Sequence, residues 1–187
     1  MGRSRGGLTT KIHALVDAHG LPIQIKPTEG QAHDGTSATE ILSGIGKDCL
    51  LLADRGYDSN ALREQIADQG GYANIRPRSN RVDPPVFSPF AYKLRNRVER
   101  FFNKLKNYRA IATRFDRHDA NFMASIKLAA IRIWMRFNES VANASISLGG
   151  IRPPLNGSYH ERLCATHDGV YQQGNQNRGV PHAAASH

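Results

Sequence analysis

The stretch C-L-L-L-A-D-R-G-Y-D-S-N-A-L-R-E-Q-I-A-D-Q-G-G, Cys49 to Gly71, runs a strand, a turn and a helix in immediate succession. Cys49–Ala53 is an unbroken apolar run, the pattern of a strand covered on both faces. Asp54 falls where that strand ends, and Gly56 gives the chain a permissive turn. Ser59 is placed to cap a helix over Asn60–Gln69, which Gly70 and Gly71 stop. Tyr72–Arg76 reads as a further short strand. Upstream, Lys11–Asp17 and Leu21–Lys26 alternate around Ala18-His19-Gly20, which predicts a β-hairpin, and Thr36–Ile45 has the spacing of a short amphipathic helix. Downstream, Pro77, Pro84, Pro85 and Pro89 break residues 76–90 into a loop. Ser88 can cap a long helix over Phe90–Tyr108. Asp116–Phe137 supplies a second, with Phe122, Ile126, Leu128, Ile131 and Trp134 as expected core contacts. Hairpin strands, then strands alternating with helices, then terminal helices predict an α/β fold, a mixed sheet covered by helices.

A chain of 187 residues, 40% hydrophobic and 22% charged, fits one modest domain. No stretch approaches the roughly 18 apolar residues of a spanning helix, and M-G-R-S-R-G-G lacks the apolar core of a secretion signal. Membrane insertion and export are therefore disfavoured, and a cytoplasmic location is the default expectation. Cys49 and Cys164 sit in unrelated contexts and make neither a disulfide framework nor a zinc site.

Lys plus Arg number 25 against 16 Asp plus Glu, a net charge of +9 that points to an anionic partner. The charge is unevenly placed. Residues 138–187 are neutral, with Arg152, Arg162 and Arg178 against Glu139, Glu161 and Asp168. Between Arg76 and Arg109 ten basic side chains face only Asp83 and Glu99. A basic run is ordinarily just a solvated face, but one so one-sided repels itself unless a polyanion neutralises it, and phosphate backbone is the natural counterion. The division expected is a folded part over 1–137 and a low-order tail over 138–187 that stands outside the fold. The widely spaced His160, His167, His182 and His187 of that tail do not have metal-site spacing.

Two constellations can carry chemistry. Asp54, at the carboxyl end of a buried strand, stands where open α/β sheets place functional groups, although an aspartate that merely caps the next turn would look the same. Tyr92, Arg95, Glu99 and Lys106 fall on one stripe of about 60° on the predicted helix, beside the apolar stripe of Leu94, Val98, Phe101 and Leu105. By itself Arg95–Glu99 is an ordinary i, i+4 ion pair.

With these residues in hand, the sequence resembles the bacterial insertion-sequence transposases of the four/five type, which carry an RNase H-like DDE catalytic domain. Tyr92, Arg95, Glu99 and Lys106 match that family's Y-x2-R-x3-E-x6-K signature at every position. L-L-A-D-R-G-Y-D, Leu51 to Asp58, is similar to its second-aspartate motif, and G-R-S-R-G-G-L-T-T-K-I-H, Gly2 to His13, to its second strand. The resemblance covers residues 2–137. It implies an RNase H-like mixed sheet flanked by helices, and metal-dependent phosphodiester hydrolysis and strand transfer in DNA transposition. Asp54 and Glu99 would be catalytic acids holding Mg2+ or Mn2+; hard oxygen donors suit those ions, and a pair of ions can stabilise both attacking and leaving oxygens. Arg95 and Lys106 would contact DNA phosphates, with Tyr92 positioning the same backbone. The implied partner is double-stranded DNA at transposon ends, together with a homo-oligomer or the product of an upstream reading frame.

The family's first aspartate, on a first strand preceding the hairpin, has no match. Asp17 ends the second-strand match, and His33 and Asp34 sit in the turn-like G-Q-A-H-D. The sheet is accordingly expected to be incomplete, and the chain to be inactive alone, as a frameshift partner or a relic. A non-catalytic DNA-binding regulator of transposition and an unrelated basic nuclease are the competing functions. G-R-S-R-G-G does not support nucleotide binding, because it lacks the G-K-[ST] ending and precedes a strand.

Overall fold

The computed structural model describes residues 2–4, 7–30, 34–43, 45–114, 116, 118–147 and 163–172. Its centre is a six-stranded sheet. Strand β1 (Gly2–Ser4) and the longer β2 (Gly7–Val16) pair antiparallel, and β3 (Pro22–Glu29) pairs antiparallel with the rest of β2. The β2–β3 turn is set by Asp17, whose Oδ1 accepts from the amides of His19 and Leu21, both at 2.8 Å. Gly20 completes it at φ 77°, where a Cβ would stand 2.9 Å from the Arg97 carbonyl oxygen. Only glycine lets this turn lie against the helix carrying Arg97.

Helix α1 (Asp34–Ile41) leads to β4 (Leu50–Ala53), the apolar run of the opening motif. Leu51, Leu52 and Ala53 are all fully buried, as a strand covered on both faces requires. A 3-10 turn over Arg55–Tyr57 then passes to α2 (Asn60–Asp68), whose first turn is capped by the Ser59 hydroxyl accepting from the Leu62 amide at 3.2 Å. Strand β5 (Tyr72–Ile75) returns parallel to β4.

The long helix predicted over Phe90–Tyr108 is broken. Ser88 does cap its start, accepting from the Ala91 amide at 3.3 Å, but α3 (Pro89–Tyr92) gives way to a 3-10 turn over Lys93–Arg95 before α4 (Asn96–Lys106). A 3-10 turn winds more tightly than an α-helix and shifts the phase of the side chains. Leu94, counted on the apolar stripe, is consequently exposed, while Val98, Phe101 and Leu105 stay buried. Helix α5 (Arg109–Ala112) is short, and α6 (Asp119–Ser147) is the longest element. Phe122 and Ile126 are core residues as expected, but Leu128 and Ile131 are exposed. The buried stripe of α6 instead continues through Ala129 and Ile133, which lie at i+7 and i+11 from Phe122.

The tail differs from its expectation at two places. Residues 138–147 continue α6, and Leu163–Gln172 form β6, inside the sheet. The sheet order is β1-β2-β6-β4-β5 with β3 also on β2, so β6 is antiparallel to β2 and parallel to β4. Backbone groups on both edges of this slot need partners, and a ladder on each side supplies them without any apolar period in the inserted segment. The rest of the tail, with His160, His182 and His187, lies outside the described residues, as does His33.

The sheet has helices on both faces. On one, Ile12, Ala14, Val16 and Leu52 pack against α4, α5 and α6; on the other, Leu15, Leu51, Ala53 and Ile75 pack against α1, α2 and Tyr57. The molecule is a mixed α/β protein. Among the described residues, no helix is long and apolar enough to cross a membrane.

Candidate active site at the end of the fourth strand

Leu51 and Ala53 face one layer of the core and Leu52 the other. By the two-residue period of a strand, Asp54 falls on the Leu52 side, the side covered by α4. There it meets the segment Tyr92–Glu99. The Tyr92 hydroxyl donates to Asp54 Oδ1 at 2.7 Å, and Arg95 Nη1 donates to Oδ2 at 2.9 Å. Arg95 Nη2 reaches Glu99 Oε1 at 2.5 Å. One guanidinium thus joins two carboxylates that are far apart in sequence.

Arg95 is the most enclosed of the three, its side chain 14% exposed against 26% for Asp54 and 46% for Glu99. Two negative charges brought together repel, and a guanidinium between them offsets that cost with directed hydrogen bonds. Its Cζ also lies 5.4 Å from the centroid of the Tyr92 ring, which in turn packs edge-on against Phe87 at 5.2 Å. The Tyr92 phenol is pushed up to about 12, first by burial and then by its hydrogen bond to Asp54 and that carboxylate's charge; Arg95 and Arg76 pull the other way. It is therefore a neutral donor at physiological pH.

Lys106, the last residue of the expected stripe, is not drawn into this cluster. It is exposed in the final turn of α4, seven residues and about 10 Å along the helix from Glu99. Lys93 and Arg100 are exposed beside the cluster in sequence and add positive charge there, whereas Lys104 lies farther along α4 and lines a cavity with Tyr108, Arg132 and Arg136.

A second polar cluster, which the sequence reading did not single out, lies four residues after Asp54. Asp58 is buried, with its side chain 0% exposed. Its Oδ1 accepts from Arg63 Nη2 at 3.0 Å and Nε at 3.2 Å, and its Oδ2 from Arg81 Nε at 2.8 Å and the Arg78 amide at 2.9 Å. Burial alone would raise its carboxyl; the Arg78 amide and the guanidiniums of Arg63 and Arg81 outweigh it and hold the group below the usual carboxylate value. The signal available in sequence was one more acid in R-G-Y-D, with nothing to pair it with arginines 5 and 23 residues on. His13 is also structural in its contacts, buried between the Tyr57 hydroxyl at 3.0 Å and Thr28 Oγ1 at 2.9 Å. Asp17 serves the turn described above.

The oxygens of Asp54 and Glu99 are hard donors of the kind that Mg2+ and Mn2+ prefer. They could supply two of the ligands such an ion would need. Among the described residues no group of three His, Cys, Asp or Glu side chains converges on a metal position.

The sequence that carries this arrangement has relatives among known proteins. Two families, each described as a transposase DDE domain, match the chain, one over residues 2–83 and the other over 51–136. A Brucella ovis protein named as a transposase for insertion sequence element IS6501 is 42% identical over 130 residues, which is 69% of this chain and the whole of that protein. No solved structure matches the chain. The chain belongs to the DDE transposases of bacterial insertion sequences. Both family matches end before β6, whose residues lie beyond 136.

Proposed function

We propose that this chain is a catalytic portion of an insertion-sequence transposase, built on an RNase H-like sheet, that works in the cytoplasm on double-stranded DNA at the element's ends. The reaction class is metal-dependent phosphodiester hydrolysis and strand transfer. The observation that carries this reading is the sharing of Arg95 by Asp54 and Glu99.

In this reading Asp54 and Glu99 hold Mg2+ or Mn2+, and such an ion supplies Lewis acidity at the scissile phosphate. The remaining ligands come from outside the described residues, within a homo-oligomer or an assembly with an upstream-frame product. Arg95 holds the two carboxylates in register before DNA arrives and offers its guanidinium to a phosphate oxygen afterwards. Tyr92, kept as a phenol by its surroundings, donates a hydrogen bond that positions Asp54 and then the DNA backbone. Lys106 adds a point charge for phosphate two turns along α4. With only these two acids drawn together among the described residues, and both engaged by Arg95, the isolated chain binds DNA without cutting it.

The test mixes the full chain with a duplex carrying the ends of its insertion sequence in Mg2+. Retention of the duplex without cleavage is expected. Asp54→Ala should leave retention intact, whereas Lys106→Ala should weaken it. Failure of the unaltered chain to retain DNA would overturn the reading, and robust cleavage would overturn the inactivity of the chain alone.

A further inference from the structure

The loop between β5 and α3 is held far more firmly than its composition suggests. At its first half Asp58 takes the Arg78 amide and the Arg81 guanidinium, while Arg63, which grips the same carboxylate, also donates to the carbonyls of Ala73 at 3.2 Å and Ile75 at 2.8 Å. At its far end the Asn74 side chain forms a two-way bracket with Ser88, donating to the carbonyl at 3.0 Å and accepting from the amide at 2.8 Å. Phe87 packs on the Tyr92 ring, so the loop abuts the candidate active site.

What the clamps present is unusual. Arg76 and Arg78 are exposed and their guanidiniums make no ion pair among the described residues, in contrast to Arg81, which is engaged by Asp58 and by Asn60 Oδ1 at 2.8 Å. Beyond them Val82 and Val86 are 102% and 95% exposed, on either side of Pro84 and Pro85. A flexible loop would lose entropy on binding; one fixed at both ends has already lost it. Two unpaired cations on a fixed loop beside exposed apolar groups complement a surface that is anionic and grooved.

We propose that residues 76–88 form a preset DNA-contacting arm, in which Asp58 is the positioning residue, Arg76 and Arg78 take phosphates flanking the site, and Val82 and Val86 lie against the groove wall. This rests on the DNA reading above and extends it to a surface outside the signature helix.

The probe is a fluorescent 30-base-pair duplex of mixed sequence, titrated with the full chain at several salt concentrations. The double variant Arg76→Ala/Arg78→Ala should bind about tenfold more weakly at 0.1 M salt and lower the slope of log K against log salt by about two. Asp58→Asn should weaken binding while raising hydrogen exchange across 76–88; Arg81→Gln, which leaves the Asp58–Arg63 pair in place, gives the same direction should Asp58→Asn not fold. Equal binding by wild type and the double arginine variant would overturn the arm and leave the DNA reading standing. Loss of binding in the wild type itself would bring down both. If Val82→Asp/Val86→Asp dissociates a multimer and leaves DNA affinity unchanged, the surface faces protein and the proposal fails.

Discussion

Arg95 donates from one terminal nitrogen to Asp54 and from the other to Glu99, and so converts what sequence spacing alone would allow to be a plain helical ion pair into a bridge between a strand and a helix. Asp58 shows the complementary case of a buried acid serving the scaffold. Its lowered carboxyl fixes the sign of a pH effect. A carboxyl lower in the folded than in the unfolded state contributes stability above its unfolded value of 3.8, and loses that contribution as pH falls through the folded value. Asp58→Asn should cost about 3 kcal/mol at pH 7, because Arg63 and Arg81 are left without their acid. Urea unfolding should show that difference shrinking on acidification below about pH 4; a difference that stays constant would mean the charge is not what the arginines need. At this scale the sequence singled out Asp54 by its strand-end position and Tyr92, Arg95 and Glu99 by a family signature, and the four side chains do meet in one hydrogen-bonded cluster. It could not disclose Asp58, whose meaning depends on an arginine delivered by a loop 23 residues away.

At the scale of elements, local pattern was a sound guide where it was strong. The hairpin, β4, the Ser59 cap, α2 and β5 follow from alternation, an apolar run and turn residues. The failures were failures of phase. A uniform helical count carried Leu94 into the core, but the 3-10 turn over Lys93–Arg95 turned it out. In α6 Phe122 and Ile126 are inward as the pattern predicts, but Leu128 and Ile131 are not; Ala129 and Ile133 complete the buried stripe, and Trp134, 38% exposed, reaches the Pro22 carbonyl with its indole N–H at 3.0 Å. Thermal unfolding should separate these classes. Phe101→Ala, at a side chain with 0% exposure, should cost about 3–5 kcal/mol, and Leu128→Ala, at 68%, less than about 0.5 kcal/mol. A comparable loss at both positions would place Leu128 in a contact that the fold does not contain.

Across the whole molecule, β6 is the feature that local reading had no means to find. Its residues show no sustained apolar period, and what orders them is a pair of ladders, to Thr9–Val16 on one side and Leu50–Ala53 on the other. Both partners are far away in the chain, so nothing near Leu163–Gln172 announces them. Ending the chain after Ser147 should leave those two strands with open edges, and amide exchange in β2 and β4 should accelerate by at least about tenfold while α2 changes little. Unchanged protection would show that the sheet stands without β6. The positive charge bordering the site, the loop beside it and the two acids at its centre converge on one end of β4, and the account depends on those acids gripping a divalent ion together. Mn2+ titration of the full chain, read by electron paramagnetic resonance, tests that most directly. Asp54→Asn and Glu99→Gln should each weaken Mn2+ binding at least about tenfold, and Asp58→Asn should not; equal affinity in all three would contradict the shared site.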